Sequence, residues 1–253
     1  MATSVNLVAD IGESFGPYEI GQDEQLLDYL SSANVACGFH GGDPVIMDRT
    51  VRLCAEKGVA VGAHPGFQDR RNFGRVTIEL PPEQLFADTL YQIGALRAFT
   101  DRYGTTIHHV APHGRLGNLT AVDPRYAEPV FEAIHAFDPH VRVSATGGSV
   151  LGELAVAAGH ELVATGLPDR GYDPDGHLTN RRNPGALVTD PAQIVARAIT
   201  MIEDGYVIAV DGSTRVPVPS GTILIHGDKP WALPAAKLLK AALAERGMEI
   251  RAL

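Results

Sequence analysis

The sequence predicts an α/β fold in which seven strand–helix units close into a (β/α)7-type barrel, as a single domain over residues 1–253. Three observations carry that expectation. Short runs rich in β-branched residues alternate with segments of helical periodicity, the pattern of a parallel sheet covered by helices. Four of the runs stop at a histidine beside glycine or proline: Asn34-Val35-Ala36-Cys37-Gly38-Phe39-His40, Val59-Ala60-Val61-Gly62-Ala63-His64, Ile107-His108-His109-Val110-Ala111-Pro112-His113 and Thr222-Ile223-Leu224-Ile225-His226. Groups able to do acid–base chemistry end nearly every strand. In a parallel sheet they meet at one point only if the sheet curls closed, because active groups then share the carboxyl rim.

Taken in order, a first strand over 5–9 ends at Asp10-Ile11-Gly12-Glu13. Alternation places Asp10 on the face of Val8, and Glu13 in the loop that follows. Residues 23–31 carry Leu26, Leu27 and Leu30 at helical spacing. A second strand covers 32–37. Asp43 is the expected N-cap of a helix running to Lys57, with Pro44 at its first position and Gly58 ending it. A third strand covers 59–63, and the loop after it holds Asp69, Arg70, Arg71, Phe73, Gly74 and Arg75. Pro81 and Pro82 start a long helix to Tyr103, and a fourth strand spans 107–111. Asp123-Pro124 opens a helix to about Phe137, and a fifth strand covers 141–145. Gly147-Gly148-Ser149 leads into a helix over 150–158 that Gly159 caps. A sixth strand, 161–165, has a long exit loop with Asp169, Arg170, Tyr172, Asp173, Asp175, His177, Arg181 and Arg182. Pro191 begins a helix to Asp204, and 206–210 with 215–218 reads as a hairpin turning at Asp211-Gly212. The seventh barrel strand is 222–226, and the last helix is 230–246.

Composition limits the function classes. Hydrophobic content of 45% and charged content of 20% are those of a soluble globular chain. The net charge of −9, with no basic cluster, argues against nucleic acid or an anionic membrane as partner. Met1 to Asn6 offers neither a basic n-region nor an apolar h-region, and no apolar run approaches spanning length, so a cytoplasmic protein is expected. Cys37 and Cys54 form no CxxC and imply no disulfide framework. Neither GxxxxGK[ST] nor a GxGxxG after the first strand is present, so no P-loop or dinucleotide fingerprint is expected.

The strand-end inventory is Asp10, Glu13, His40, Asp43, His64, His113, His226 and Asp228. A carboxylate beside an imidazole can do general acid–base work. Asp10, His40 and His64 also form a possible divalent-metal set, although no short-range ligand pair such as HExxH supports it. A single strand-end histidine can equally cap a loop backbone group; the constellation is what points to a site. His109 shares a face with Ala111 and His113, so it either lines the barrel interior as a functional group or is a satisfied core histidine. His135, His140 and His160 lie on or beside helices and are expected to face solvent, remote from the site. Cys37 reads as a small buried thiol rather than a nucleophile. Gly147-Gly148-Ser149 fits an anion site at a helix N-terminus or a plain capped turn.

Several motifs follow one another in a recognisable order: Asp10-Ile11-Gly12-Glu13-Ser14-Phe15-Gly16, then Ser32 to His40 with Gly42-Asp43-Pro44, then Gly62-Ala63-His64-Pro65-Gly66. Phe73-Gly74-Arg75, Tyr91-Gln92-Ile93-Gly94-Ala95-Leu96, Pro112-His113-Gly114 and His226-Gly227-Asp228 complete the series. Over nearly the whole chain this resembles the LamB/YcsF family. The resemblance implies a barrel related to glycoside hydrolase/deacetylase barrels. It also implies the role of an A subunit of ATP-dependent 5-oxoprolinase, opening the lactam of 5-oxoproline to L-glutamate with ATP and partner subunits B and C. On that reading Asp10, Glu13, His40, His64 and His113 are catalytic. Asp43, Arg75, Asn118, His226 and Asp228 bind substrate, with Arg75 offering a guanidinium fork to its carboxylate. The chain departs from the family pattern at Val8 and Ala9, where Asn and Cys are usual, at Ala111 for Lys, and at Gly117 for Tyr. Those departures keep two alternatives open: a metal-dependent, deacetylase-type hydrolase of another small substrate with Asp10, His40 and His64 as ligands, and a non-catalytic subunit.

Overall fold

In β1 (Ser4–Ile11) Leu7, Ala9 and Ile11 alternate with Asn6, Val8 and Asp10, and all six are buried. A strand buried on both faces belongs in the middle of a covered parallel sheet. The structure, a computed structural model, describes residues 4–218 and 220–252; Met1 to Thr3, the start of the stretch read for a leader, lie outside them. Parallel pairing runs from β1 to β2 (Ser32–Ala36), β3 (Ala60–His64), β4 (Ile107–Val110), β5 (Arg142–Ala145) and β6 (Leu162–Gly166). The expected hairpin is present as antiparallel β7 (Tyr206–Ile208) and β8 (Arg215–Pro217), outside the barrel. β6 then pairs with β9 (Thr222–Ile225), and β9 pairs with β1 in the register Leu7↔Ile223 and Ala9↔Ile225. That last pairing closes a ring of seven parallel strands. A short β10 (Glu249–Ile250) extends β1 at its amino end and was not foreseen.

The helices lie in the expected gaps, with two differences. α1 (Asp23–Leu26) is one turn that tightens into a 3-10 turn at Leu27–Tyr29, in place of a helix over 23–31. The chain must return at once to the sheet there, where Ser31 N donates to the Leu7 carbonyl at 3.0 Å. α2 (Pro44–Lys57) starts at Asp43, whose Oδ1 accepts from Val45 N and Ile46 N at 2.9 Å. α3 (Pro82–Arg102) is the expected long helix. α4 (Gly114–Val122) fills a stretch the sequence left unassigned, directly after His113. α5 (Pro124–Phe137), α6 (Val150–Ala157), α7 (Pro191–Glu203) and α8 (Ala232–Glu245) follow. Ser149 Oγ accepts from Gly152 N at 3.2 Å, so the Gly-Gly-Ser stretch is a capped turn.

The apolar core is the shell between strands and helices, where Leu7, Ile11, Ile93, Leu96, Ile194 and Leu239 are fully buried. Each such side chain contributes about 1.5–3 kcal/mol relative to an exposed one. The barrel interior is polar instead. Asn6 Oδ1 accepts from Ser31 Oγ at 2.8 Å and Ser32 Oγ at 2.7 Å, and its Nδ2 donates to Thr222 Oγ1 at 3.2 Å. Those bonds tie β1, β2 and β9 together at the amino end and leave the carboxyl end to the reactive groups. No described helix is long and apolar enough to cross a membrane.

Candidate active site

His64 ends β3 and His113 follows β4, and each is anchored through one ring nitrogen. His64 Nδ1 donates to the Ala111 carbonyl at 2.6 Å, and His113 Nε2 donates to the Phe73 carbonyl at 2.9 Å. A carbonyl only accepts, so both outer nitrogens carry protons, and the inner ones, 2.9 Å apart, bond to each other only through one further proton or a cation between them. His40 stacks flat on His113, with ring centroids 3.6 Å apart and 4° between planes. Its Nε2 lies 3.2 Å from Glu13 Oε1, and His113 Nδ1 lies 3.6 Å from the same oxygen. Glu13, His40, His64 and His113 are all buried, their ligand-type atoms fall within 4.8 Å of one another, and the cluster could hold a metal ion.

The donor chemistry tests that fit. His64 and His113 have the outer N–H tied to a carbonyl and the inner nitrogen free, which is how metal-bound histidines are held. Glu13 supplies the carboxylate. His40 fits less well. Its Nδ1 is buried with no partner, so binding through Nε2 would leave a buried N–H unsatisfied. Of the trio expected from the sequence, His40 and His64 lie in this cluster. Asp10 is outside the cluster and approaches His64 Nε2 at 3.3 Å, while Glu13 and His113 join it.

The two carboxyls are shifted in opposite directions. Burial would raise Asp10, but His64 beside it outweighs burial and holds its carboxyl well below the ordinary carboxylate range. Burial pushes Glu13 well above that range, and the negative charge of Asp10 adds to the effect. Burial likewise keeps His40 and His113 well below the ordinary histidine range, with Arg75 and Arg70 adding to the effect on His40. The His40–Glu13 contact is thus a neutral hydrogen bond rather than an ion pair. Opposite shifts on adjacent carboxyls are the mark of an acid and a base set side by side.

Behind Asp10 a polar chain crosses the barrel. Asn34 Nδ2 donates to Asp10 Oδ1 at 2.9 Å, and Asn34 Oδ1 accepts from His109 Nε2 at 2.7 Å. His109 is both interior and satisfied; burial, with His108 nearby, pushes it down to about 3. Its ring occupies the space a side chain at Gly62 would need.

The far side of the site comes from β9 and the exit loop of β6. Asp169 accepts from His226 N at 3.1 Å and from His226 Nδ1 at 2.8 Å, and Arg181 Nη2 donates to His226 Nε2 at 2.9 Å. Arg75 Nη2 donates to Asp228 Oδ2 at 3.0 Å, and Lys229 Nζ lies 2.6 Å from the same oxygen. Burial would raise Asp228, but these two cations hold it low.

The sequence from residue 5 to 253 matches the LamB/YcsF family model. The chain belongs to the LamB/YcsF family. A relative from Methylococcus capsulatus (strain Bath), named as the A subunit of 5-oxoprolinase, is 47% identical over 253 residues, covering 100% of this chain and 97% of its own length. The crystal structure of a lactam utilization protein from Thermus thermophilus superposes with a TM-score of 0.92 at 42% identity, covering 99% of this chain and 100% of that one. The catalytic domain of a peptidoglycan N-acetylglucosamine deacetylase from Eubacterium rectale shares the fold, with a TM-score of 0.50 at 12% identity over 99% of this chain and 88% of that one.

In this LamB/YcsF chain the structure brings together Asp10, Glu13, His40, His64 and His113, and on the opposite side Arg75, His226 and Asp228. It does not bring in Asp43 or Asn118. Asp43 caps α2 with Oδ1, and its Oδ2 accepts from Gly16 N at 2.8 Å, so both oxygens serve the backbone. Asn118 lies on α4 and bonds to none of the site residues. His135 and His140 are exposed as expected, but His160 is buried, donating from Nδ1 to the Val141 carbonyl at 2.7 Å. Burial pushes the Cys37 and Cys54 thiols up to about 12, which removes them as nucleophiles. Asn34, Asp169 and Arg181 went unassigned in the sequence. Only the unusual length of the β6 exit loop signalled the last two.

Proposed function

We propose that this protein opens the lactam of 5-oxoproline to L-glutamate, as one barrel domain serving as the A subunit of an ATP-dependent 5-oxoprolinase with subunits B and C. The observation that carries the reading is a pair of buried carboxyls set against two histidines: Asp10 Oδ1 lies 3.3 Å from His64 Nε2 and Glu13 Oε1 3.6 Å from His113 Nδ1, with Asp10 shifted down and Glu13 up. Names borne by relatives and by the Thermus thermophilus structure support the substrate class.

Lactam hydrolysis needs a proton taken from water as it adds to the carbonyl carbon, and a proton given to the nitrogen as the ring C–N bond breaks. Asp10, in contact with His64 Nε2, is the base side of that exchange. Glu13 holds the proton for the departing amine, and His40, hydrogen-bonded to it, keeps the acid aligned. Once His64 takes up the proton from water, its Nε2–H stabilises the developing oxyanion. A divalent ion held by Glu13, His64 and His113 would take the place of those protons, and it would then supply the carbonyl polarisation instead of the His64 N–H. ATP hydrolysis supplies the driving force.

The test is glutamate release from 5-oxoproline by the chain reconstituted with subunits B and C, with and without ATP. Asp10→Asn and His64→Ala are each expected to lower kcat by about 10²–10⁴ in folded protein. No ATP-dependent glutamate from the wild-type complex sinks the assignment.

A further inference from the structure

The exit loop of β6, residues 167–190, is folded on itself. Gly171 N donates to the Ala186 carbonyl at 3.0 Å, and Val188 N to the Asp169 carbonyl at 3.0 Å. Two arginines staple it. Buried Arg170 donates to the carbonyls of Ala186 at 3.1 Å and Thr179 at 2.8 Å; Arg197 of α7 donates to those of Pro168 at 2.9 Å and Arg170 at 2.7 Å. Both guanidinium groups are engaged by backbone.

Arg181, on the same loop, is different. Its Nη2 donates to His226 Nε2, and among the described residues it has no other hydrogen bond and no carboxylate within ion-pair range. The acceptor is preset. Asp169 takes the Nδ1 proton of His226, so Nε2 presents a lone pair. That contact aims the guanidinium without neutralising it. A guanidinium has five N–H donors, and only one Arg181 nitrogen is engaged. A half-buried cation with no counter-ion is costly to keep.

The surroundings add to the excess of positive charge. Arg75 shares Asp228 with Lys229, and its Nε is buried without a partner. Burial and the neighbouring charges of Arg75 and Arg170 push Arg181 itself down to about 10. The region adjoins the acid–base centre, because Ala9 pairs with Ile225 one residue before Asp10 and His226, and Gly227 packs against the Asp10 carbonyl.

We propose that Arg181, aimed by the Asp169–His226 pair, anchors the carboxylate of the substrate, with Arg75 Nε completing the clasp. The ligand class is a small cyclic amide bearing a carboxylate beside the ring nitrogen. The proposal rests on the lactam reading for the ring and on the unpaired guanidinium for the carboxylate. It shifts the main contact from Arg75, which Asp228 already holds, to a residue outside the family motifs. A planar fork on a carboxylate is bidentate, a geometry lysine cannot reproduce. Phosphoryl groups share that chemistry, so the experiment separates them.

The test is ligand-observed NMR titration of the full-length chain, alone and in the reconstituted complex. The probes are 5-oxoproline, 2-pyrrolidinone, cyclopentanecarboxylate and inorganic phosphate. Arg181→Gln is expected to weaken 5-oxoproline about 10- to 100-fold and Arg181→Lys about tenfold. Both should leave 2-pyrrolidinone, the lactam without its carboxylate, within about twofold. Asp169→Asn, with Arg181 intact, is expected to weaken 5-oxoproline severalfold with the same indifference to 2-pyrrolidinone. Equal 5-oxoproline binding by wild type and Arg181→Gln overturns the proposal. So does an equal loss of both lactams, which marks general damage, or an Arg181-dependent response to phosphate alone, or no anion binding in either preparation. Arg181-dependent binding of cyclopentanecarboxylate with none of 5-oxoproline keeps the carboxylate anchor and removes the lactam reading.

Discussion

Replacing Gly62 with alanine puts a methyl carbon 2.2 Å from His109 Nε2 and 2.4 Å from its Cε1. The ring cannot keep its place. It is buried and held by the 2.7 Å bond to Asn34 Oδ1, so moving it breaks that bond and leaves two buried polar atoms unpaired. Overpacking costs about 1–3 kcal/mol, and an unsatisfied buried group about 1–3 kcal/mol more. Gly62→Ala is therefore expected to destabilise by about 2–6 kcal/mol, a large share of the roughly 5–15 kcal/mol available to a domain. Equilibrium urea unfolding at pH 7, followed by far-UV circular dichroism, measures it. His109→Ala removes the obstacle, so adding Gly62→Ala to that variant should cost less than about 0.5 kcal/mol, a coupling that takes up most of the single-variant cost. A cost below about 1 kcal/mol for Gly62→Ala alone, or two costs that simply add, refutes the idea that the ring fills the missing side chain's place.

Asp43→Ala should lower stability by about 1–2 kcal/mol in the same assay, because it removes the cap of α2. Burial pushes Asp23 up to about 6, so between about pH 4 and 6 the folded chain keeps a proton that the unfolded chain has released. Wild-type stability then falls as pH rises through that window. Asp23→Asn removes this slope and should gain about 1 kcal/mol on wild type from pH 4.5 to pH 7, a modest figure because the carboxylate is partly exposed; parallel urea midpoints in the two proteins would expose a wrong sign. Glu13→Gln should weaken Zn²⁺ binding at least about tenfold in a chelator competition, and an unchanged affinity would remove Glu13 from the donor set.

The strand ends were legible because β-branched runs broken by His, Gly and Pro leave little freedom of assignment, as at Gly62-Ala63-His64-Pro65. Asp10 and Glu13 were legible for the same reason. What escaped depends on contacts distant in sequence. His109 reaches Asn34 across the barrel only through the gap at Gly62, and no local pattern encodes that meeting. α4 was hidden because Gly114 and Gly117 depress its helix propensity, while burial of Leu116 and Leu119 restores it. Arg181 and Asp169 lie in a loop without periodicity, and their roles appear only when β9 brings His226 to them. Asp43 had two roles open from sequence, cap and ligand; the cap takes Oδ1, and the Gly16 N–H takes Oδ2.

The pairing of β1 with β9 also sets a timetable for synthesis. Asp10 is made more than two hundred residues before the partner that completes its strand's pairing, which arrives only with Thr222 to Ile225. Gly227 then settles so close to the Asp10 carbonyl that a side-chain carbon would stand 2.0 Å from it, so the fit is made by the incoming segment. Until then β1 and β6 are open edges, the kind of surface that chaperones shield and aggregates exploit. Joining segments so far apart in the chain is slow. The nascent polypeptide therefore carries Asp10 and its neighbours without their final arrangement until β9 has been made.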